Sequence, residues 1–259
     1  PTFSNVNLPL DTIEALAWGS NLDWGYNKHP PISALLVEIF YFFFGNNDWA
    51  FYLLSQLCVI ISFIYVWKLS KEFLKKSILS ISSILILAGI YFYNFTTPEF
   101  NVNVGQLPFW SASIYYSWKC FSTKNLKYWF FLGTAISLGF LTKYIFIALI
   151  LAIKIFFLIE LIKIKKVDYK FFIPGTIFLI FLIPHLVWLV NNEFITISYA
   201  FTRSGLDTNN IQDHFIFPAI FLFKQIVVLI PFVILATLLV DLKKIKINLK
   251  DKKLFFLLI

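Results

Sequence analysis

Two acidic residues, Asp11 and Glu14, lie three positions apart near the start of the sequence, in the stretch LPLDTIEALAWG at 8–19. Side chains three apart share one face of a helix, so either carboxylate could act as general base for an attacking hydroxyl or amine. The same spacing after a proline is also typical of a capping box, with Asp11 as N-cap and Glu14 at the third helical position. The two interpretations stay open and are compatible, since a carboxylate fixed at a helix start is preorganised.

Lys28 and His29 stand directly before a double proline at 30–31. Proline is tolerated in the first turn of a helix, and helix N-termini attract anions, so a helix start with two cations ahead of it predicts a site for a lipid phosphate. Because proline has no N–H group, Ile32 and Ser33 would have to supply the backbone donors. The alternative is that both cations simply extend beside lipid headgroups.

Three further side chains could bind a phosphorylated substrate: Lys143, His185 and Arg203. An arginine can hold phosphate through two parallel hydrogen bonds, although Arg203 could instead pair with Asp207 on a solvated loop. Lys143 could equally be a snorkelling anchor. His185 lies inside an apolar segment, where a polar side chain is costly and often functional, but it could also be a helix-packing histidine.

Apolar segments dominate the elements that must position these residues. The chain of 259 residues is 59% hydrophobic and 14% charged, with a mean hydropathy of +0.78, whereas soluble domains carry about a quarter charged residues. Recurring apolar runs of about 20 residues predict an all-α, polytopic membrane protein. The predicted spans are 48–68, 77–95, 104–119, 127–142, 144–162, 171–190 and 216–240, with one more beginning at 254.

The first 47 residues are predicted not to span the membrane. Residues 11–19 read as an amphipathic juxtamembrane helix, and the short apolar segment 31–44 suits an interfacial or re-entrant helix. Between them a turn is expected at Gly25, with Trp24 and Tyr26 at the headgroup belt. The apolar stripe of the first helix is predicted to comprise Leu10, Ile13, Leu16 and Ala17.

The net charge of +8 comes from lysines clustered between spans, which indicates membrane orientation rather than nucleic-acid binding. Four basic clusters, within 68–76, 119–127, 163–170 and 241–253, fall on one side of the membrane when the spans are threaded in order. The positive-inside rule assigns that side to the cytoplasm. The candidate site residues fall on the opposite side, so we expect a multi-pass protein of the plasma (inner) membrane with its active site on the extracytoplasmic or periplasmic face.

The sequence begins with Pro1, contains no methionine and ends in the apolar run LFFLLI, and we therefore interpret it as a fragment. The expected organisation is one transmembrane domain over 1–259, incomplete at both ends. It comprises a first outer loop with juxtamembrane helices, 1–47, and a helix bundle, 48–259. The three histidines show no ligand spacing such as H-x-x-x-H, so no metal or other cofactor is expected.

The stretch LDTIEALAWGSNLDWGYNKHPPISALL at 10–36 resembles the first outer loop of glycosyltransferases of the dolichyl-phosphate-mannose–protein mannosyltransferase superfamily. That superfamily includes bacterial enzymes that modify lipid A with aminoarabinose. Its pattern is an acid at a helix start, then W-x-x-x-L-x-x-G-Y-x-x-H-P-P-L. The matching positions are Asp11, Trp18, Leu22, Gly25, Tyr26, His29, Pro30 and Pro31, and Ile32 replaces the usual leucine. Weaker similar segments are FNVN at 100–103, GFLTKY at 139–144, PHLVWLVNNEF at 184–194 and YAFTRSG at 199–205.

This resemblance implies a GT-C-type bundle that transfers a sugar, with inversion, from a polyprenyl-phosphate donor. Asp11 would be the catalytic carboxylate, and Glu14 could compensate for the second acid that many relatives carry directly after the first. The KHPP segment would hold the donor phosphate through Lys28 or His29. A further acid is expected in the next outer loop, where Glu99 is the candidate and Asn103 competes with it.

The implied partners are a polyprenyl-phosphate-linked sugar, membrane lipids and a lipid A, glycan or protein acceptor, with no nucleic acid. Two other classes stay open on the sequence: a transporter or flippase for a lipid-linked precursor, and a non-catalytic membrane scaffold. Against transport, no acid or lysine lies deep in the centre of a predicted span, where coupling pathways need one. The nearest exceptions are Glu38 in the short segment and Lys154 and Glu160 towards the inner end of their span.

Overall fold

The structure is a computed structural model that describes residues 7–74, 76–87, 89–165, 168–203, 213–239 and 251–258. Within those ranges the chain is helical, with no β-strand, as the apolar runs predict. The helices are α1 (Leu10–Gly19), α2 (Ile32–Phe44), α3 (Asp48–Phe73), α4 (Ser77–Leu87), α5 (Val102–Gly105), α6 (Leu107–Thr123), α7 (Leu126–Phe140), α8 (Ile147–Ile164), α9 (Ile173–Asn191), α10 (Ile195–Arg203), α11 (Asp213–Leu239) and α12 (Lys252–Leu258).

Four helical segments of the described chain are long and apolar enough to cross a membrane: Asp48–Phe73, Tyr144–Ile164, Tyr169–Asn191 and His214–Leu239. They confirm the all-α, polytopic membrane architecture. Three of the predicted spans correspond to shorter helices. The continuous span predicted over 77–95 is wrong, because α4 ends at Leu87 and a π-helical turn occupies Phe92–Thr96.

The bundle is built as a row of neighbouring helices in which α6 lies between α3 and α7, and α7 packs in turn against α9. Large side chains fill the row, and Leu132 of α7 and Phe146, just before α8, are almost fully buried. Because burying an apolar side chain of this size contributes about 1.5–3 kcal/mol, this core provides a firm support for the loops at its ends.

The first helix corrects two predictions. Its N-cap is Pro9, which makes no side-chain cap bond, so Asp11 lies in the first turn and forms no capping box. The face that packs on α2 carries the small residues Thr12, Ala15 and Gly19, while Leu10 and Ile13 of the predicted apolar stripe are exposed. Small side chains let the two helices approach closely, as at interfaces within membranes.

The basic clusters meet at one end of the bundle. Lys119 Nζ pairs with Glu72 Oε1 at 2.8 Å, and Lys253 Nζ donates to the carbonyl oxygen of Glu72 at 2.7 Å. Lys170 Nζ donates to the carbonyl of Lys124 at 3.1 Å. These contacts join all four predicted clusters, so the threading of the spans that placed them on one side agrees with the fold.

Candidate functional site

At the other end of the bundle, the first outer loop, α5, the α7–α8 turn and α10 enclose a cavity of about 410 Å³. Seven of the nine residues predicted for the site line it: Asp11, Glu14, Lys28, His29, Asn103, Lys143 and Arg203. Glu99 and His185 do not. The acidic helix start and the KHPP segment therefore face the same space, although 17 residues separate Asp11 from Lys28 in the sequence.

Asp11 reaches this cavity because α1 is fastened from its buried side. Thr12 Oγ1 donates to the carbonyl oxygen of Phe100 at 2.8 Å, a bond between the first and second outer segments. The neighbouring Asp11 side chain is exposed on the opposite face of that turn. An exposed carboxylate at a fixed helix start can accept a proton from a bound hydroxyl without moving the backbone.

Glu14 holds Lys28 across the cavity mouth. Its Oε1 lies 2.5 Å from Lys28 Nζ, and about a third of each side chain is exposed. This hydrogen bond raises the pKa of Lys28 above its ordinary value. The same ammonium lies 5.9 Å above the ring of Tyr199. Glu14 is thus the charge partner of Lys28, and in the structure Asp11 has no such partner among the described salt bridges.

Tyr199 is a lining residue that the sequence analysis missed. It lies on α10 four positions before Arg203, and its hydroxyl oxygen accepts a hydrogen bond from Arg203 Nη1 at 2.7 Å. Residues four apart on a helix are neighbours, so this spacing was the available signal. Asp207, the alternative partner of Arg203, lies outside the described residues.

Of the two candidates in the second outer loop, Asn103 lines the cavity and Glu99 does not. The side chain of Asn101 caps α5 by accepting from the backbone N–H groups of Asn103 and Val104, at 2.9 and 3.2 Å. The amide oxygen of Asn103 then accepts from Lys143 Nζ at 2.7 Å. Glu99 is exposed and lines no part of the cavity.

Lys143 is half-buried at this position, so it is not a snorkelling lysine extended towards lipid headgroups. Burial lowers its pKa, the charge of Arg203 lowers it further, and Asp11 raises it. When an anion binds, the charged form of a poorly solvated lysine near another cation is stabilised more than that of an exposed lysine. An incoming phosphate would therefore stabilise its charged form.

His29 is neutral in this site. Burial lowers its pKa from 6.5 to about 4, with further lowering by the nearby Lys143 and an opposing effect of Asp11. Its ring meets the indole of Trp18 edge-on, with 5.9 Å between centroids. With this pKa the imidazole is uncharged near neutral pH and can donate or accept hydrogen bonds. The predicted contact of His29 with a phosphate stays a prediction.

The helix start after the double proline does not supply the predicted backbone donors. The N–H group of Ile32 already donates to the carbonyl oxygen of Leu141 at 3.1 Å, and neither Ile32 nor Ser33 lines the cavity. The cationic side of the site consists of side chains, namely those of Lys28, Lys143 and Arg203.

The turn at Gly25 is held against α9. A Cβ atom on Gly25 would lie 2.4 Å from Cε3 of Trp188, so only glycine fits against this indole. Trp188 Nε1 also donates to Asp23 Oδ2 at 2.7 Å. Tyr26 stacks on Trp18 and is buried, which corrects its predicted place in the headgroup belt, whereas Trp24 is 53% exposed.

His185 lies behind the cavity and not in it. It is fully buried, its Nδ1 lies 2.5 Å from the carbonyl oxygen of Trp24, and its Nε2 lies 2.7 Å from the hydroxyl of Tyr144. Its predicted role in direct substrate binding is wrong for this geometry. The partner Tyr144 does line the cavity.

The described ionisable groups of the cavity comprise two carboxylates and three cations, with a neutral histidine between them. A phosphate group would be attracted to Lys143 and Arg203. Asp11 could accept the proton of a nucleophile bound in the same cavity. Across the described residues, no group of three His, Cys, Asp or Glu side chains is arranged to hold a metal ion.

Comparison of the sequence with known proteins gives a family match and a curated relative. The family model "Dolichyl-phosphate-mannose-protein mannosyltransferase" matches residues 28–188, which is more than half of the chain. The chain is also 30% identical over 152 residues to an undecaprenyl phosphate-alpha-4-amino-4-deoxy-L-arabinose arabinosyl transferase of Wigglesworthia glossinidia brevipalpis. That alignment covers 56% of this chain and 26% of the relative, so the chain spans about a quarter of the relative's length.

No solved structure matches the chain. The family match includes the KHPP, FNVN and GFLTKY segments, which supply seven of the cavity's lining residues, and α9 as far as Trp188. On this match, the chain belongs to the dolichyl-phosphate-mannose-protein mannosyltransferase family.

Proposed function

We propose that this chain is the catalytic membrane part of an inverting GT-C glycosyltransferase, which moves a sugar from a polyprenyl-phosphate donor to a lipid, glycan or protein acceptor. One observation carries the proposal: a cavity at the end of the bundle away from the lysine clusters combines Lys143 and Arg203 with Asp11, which forms no salt bridge with any described residue. On the positive-inside rule that end faces the extracytoplasmic side.

The reaction needs a base on one side of the anomeric carbon. An acceptor hydroxyl or amine attacks that carbon, the bond from carbon to the phosphate oxygen breaks, and the acceptor's proton passes to the Asp11 carboxylate. A single displacement of this kind inverts the configuration. General-base catalysis of this step contributes about 10²–10⁴-fold in rate.

The leaving polyprenyl phosphate gains negative charge as the bond breaks. Cations that contact the phosphoryl oxygens stabilise that charge more in the transition state than in the bound donor, and so accelerate the step. Lys143 and Arg203 are placed for this role, and Lys28 joins them if the phosphate displaces Glu14 from its 2.5 Å contact. Neutral His29 would add a hydrogen bond to a phosphoryl or sugar oxygen.

The alternative class is a transporter or flippase for a lipid-linked precursor. The described ionisable groups within the apolar helices do not support a coupling pathway. Glu160 is bonded to Lys163 at 2.8 Å near the basic end, and Lys154 and Lys224 are exposed on the outside of the bundle. A non-catalytic scaffold would have no need for a cavity lined by a base and three cations.

The proposal is tested with the full-length protein in nanodiscs, supplied with undecaprenyl-phosphate sugars and cell-envelope lipid or glycan acceptors. Asp11→Asn should lower kcat by about 10²–10⁴-fold while leaving undecaprenyl phosphate affinity within about threefold. Asp48→Asn is the matched control, because Asp48 also lies in the first turn of a helix but does not line the cavity.

Transfer that is equal in the Asp11→Asn and Asp48→Asn proteins would contradict the assignment of the base. A protein that moves the lipid-linked sugar between leaflets without forming a new glycosidic bond would favour the transporter. Mass spectrometry of lipid A and surface glycans, from cells with and without the gene, identifies the sugar and the acceptor.

A further inference from the structure

His185 makes two hydrogen bonds that join three parts of the chain. Its Nδ1 lies 2.5 Å from the carbonyl oxygen of Trp24, in the first outer loop. Its Nε2 lies 2.7 Å from the hydroxyl oxygen of Tyr144, at the start of the α7–α8 turn. Tyr144 lines the cavity and Trp24 lies four positions before Lys28, yet His185 itself is fully buried and does not line the cavity.

The partners fix the tautomer of the ring. A carbonyl oxygen can only accept, so Nδ1 of His185 must carry the proton that is donated to Trp24. The neutral ring then leaves Nε2 as an acceptor, and the hydroxyl of Tyr144 must donate to it. The hydrogen bonds therefore run in one direction, from Tyr144 through His185 to the outer loop.

Two further bonds attach the same loop to the same region. Thr196 Oγ1, at the start of α10, donates to the carbonyl oxygen of Tyr26 at 2.6 Å, and Trp188 Nε1 donates to Asp23. Trp188 also stacks on His185, with rings 9° from parallel and 6.1 Å between centroids. His185 and Thr196 are both fully buried, so water competes little for their bonds to the loop.

We propose that His185 is a positioning residue, which locks the outer loop that carries Lys28 and His29 onto α9 and orients Tyr144 at the cavity wall. The identity of the ligand in this inference rests on the proposed function, whereas the attachment of the loop by His185 does not. Loss of the imidazole removes one hydrogen-bond partner of the Tyr144 hydroxyl, which keeps its bond to the Thr196 side chain, and leaves the Trp24 carbonyl without its donor. The outer loop then loses one of the bonds that attach it to α9 and α10.

The test uses three substitutions in the full-length protein in nanodiscs. His185→Leu removes both bonds. His185→Asn keeps a donor near the Nδ1 position, and His185→Gln carries an acceptor to the Nε2 position. Hydrogen–deuterium exchange over residues 21–30 reports the loop, and the Kd of undecaprenyl phosphate reports the cavity. His214→Leu is the control, because His214 is exposed and outside the cavity.

We expect His185→Leu to speed exchange over 21–30 by about tenfold or more and to weaken undecaprenyl phosphate binding by about 10-fold, since one or two buried hydrogen bonds are lost. His185→Asn should restore the slow exchange of the loop to within about threefold of the wild-type rate. His185→Gln should restore less of it. The His214→Leu protein should match wild type in both measurements.

Two outcomes overturn the inference. One is wild-type exchange and affinity in His185→Leu. The other is faster exchange throughout α9 and α7 that His185→Asn does not reverse, which would mean that the ring only fills space. If instead the wild-type protein fails to bind undecaprenyl phosphate but the loop still depends on His185, the positioning role stands and the proposed function falls.

Discussion

Substitution of Gly25 by alanine tests whether the outer loop is seated against α9 as closely as the structure shows. The added Cβ would lie 2.4, 2.6 and 2.9 Å from three atoms of the Trp188 indole. Real Cβ atoms do not approach this closely, so the indole or the loop must move. The indole cannot swing away freely, because its Nε1 is bonded to Asp23 and its face is stacked on His185.

The cost can be worked from these contacts. Overpacking a well-filled site costs about 1–3 kcal/mol, and a lost hydrogen bond adds about 1 kcal/mol. The free energy of unfolding should therefore fall by about 2–4 kcal/mol in Gly25→Ala. Thermal unfolding of the purified protein, followed by tryptophan fluorescence, measures this as a midpoint lowered by about 2–4 °C per kcal/mol.

A matched control lies on the same helix. Gly175 of α9 has nothing within 4 Å of an added Cβ, so Gly175→Ala should be neutral or stabilising by up to about 1 kcal/mol. Trp188→Phe in the Gly25→Ala background should cost less than the sum of the two single changes, because the smaller ring relieves the contact. Gly25→Ala unfolding at the wild-type temperature, or strictly additive costs, would refute the close seating of the loop.

Three other measurements bear on the site. Lys143→Gln should weaken undecaprenyl phosphate binding about 10-fold or more, since a charged hydrogen bond is lost. Lys127→Gln, at the basic end of the bundle, is the control and should leave the affinity unchanged. Equal affinities in the two variants would show that Lys143 does not bind the phosphate. The pKa of His29 is about 4 in the folded chain and 6.5 in the unfolded chain, so the unfolded chain binds more protons between these pH values. The free energy of unfolding should therefore rise by up to about 3 kcal/mol from pH 4 to 6.5. Thermal melts of His29→Gln should show a shallower rise, and an unchanged slope would contradict the buried neutral state. Glu193 adopts a φ of +53° in the turn before α10, and replacing it with glycine removes about 1 kcal/mol of backbone strain. Glu193→Gly should therefore raise the thermal midpoint. A lower midpoint would show that the Glu193 side chain stabilises the fold by more than its backbone strain costs.

Much of the fold could be predicted because its signals are local. Apolar runs mark the membrane helices, and lysine clusters mark one end of the bundle, since both follow from the transfer of side chains out of water. The stretch 8–36 marks the cavity because several chemically useful side chains occur together in it. The packing partners of a residue within the bundle come from distant parts of the chain, so the local sequence does not identify them.

The failures show that limit. The helical periodicity of α1 predicted a buried stripe with Leu10 and Ile13, but the buried face of the helix carries the small residues Thr12, Ala15 and Gly19 instead. The resemblance favoured Glu99, because relatives often carry a second acid in this loop. In the structure, Asn101 caps α5 and Asn103 lines the cavity instead.

His185 illustrates the same limit on the other helix. A polar side chain in an apolar segment was predicted to meet substrate, and its partners proved to be a backbone carbonyl and a tyrosine hydroxyl. Neither partner can be identified from the sequence, because 161 and 41 residues separate them from the histidine.

The bonds that seat the outer loop link residues 161, 165 and 170 positions apart. A ribosome that adds about 5–20 residues per second needs about 8–35 seconds to make that intervening chain. During this interval the first loop has left the ribosome, yet α9 and α10, which it must meet, do not exist. The cavity is therefore completed only after α9 and α10 have been synthesised, and a nascent chain stalled before residue 173 carries every residue of the 8–36 stretch without a finished site.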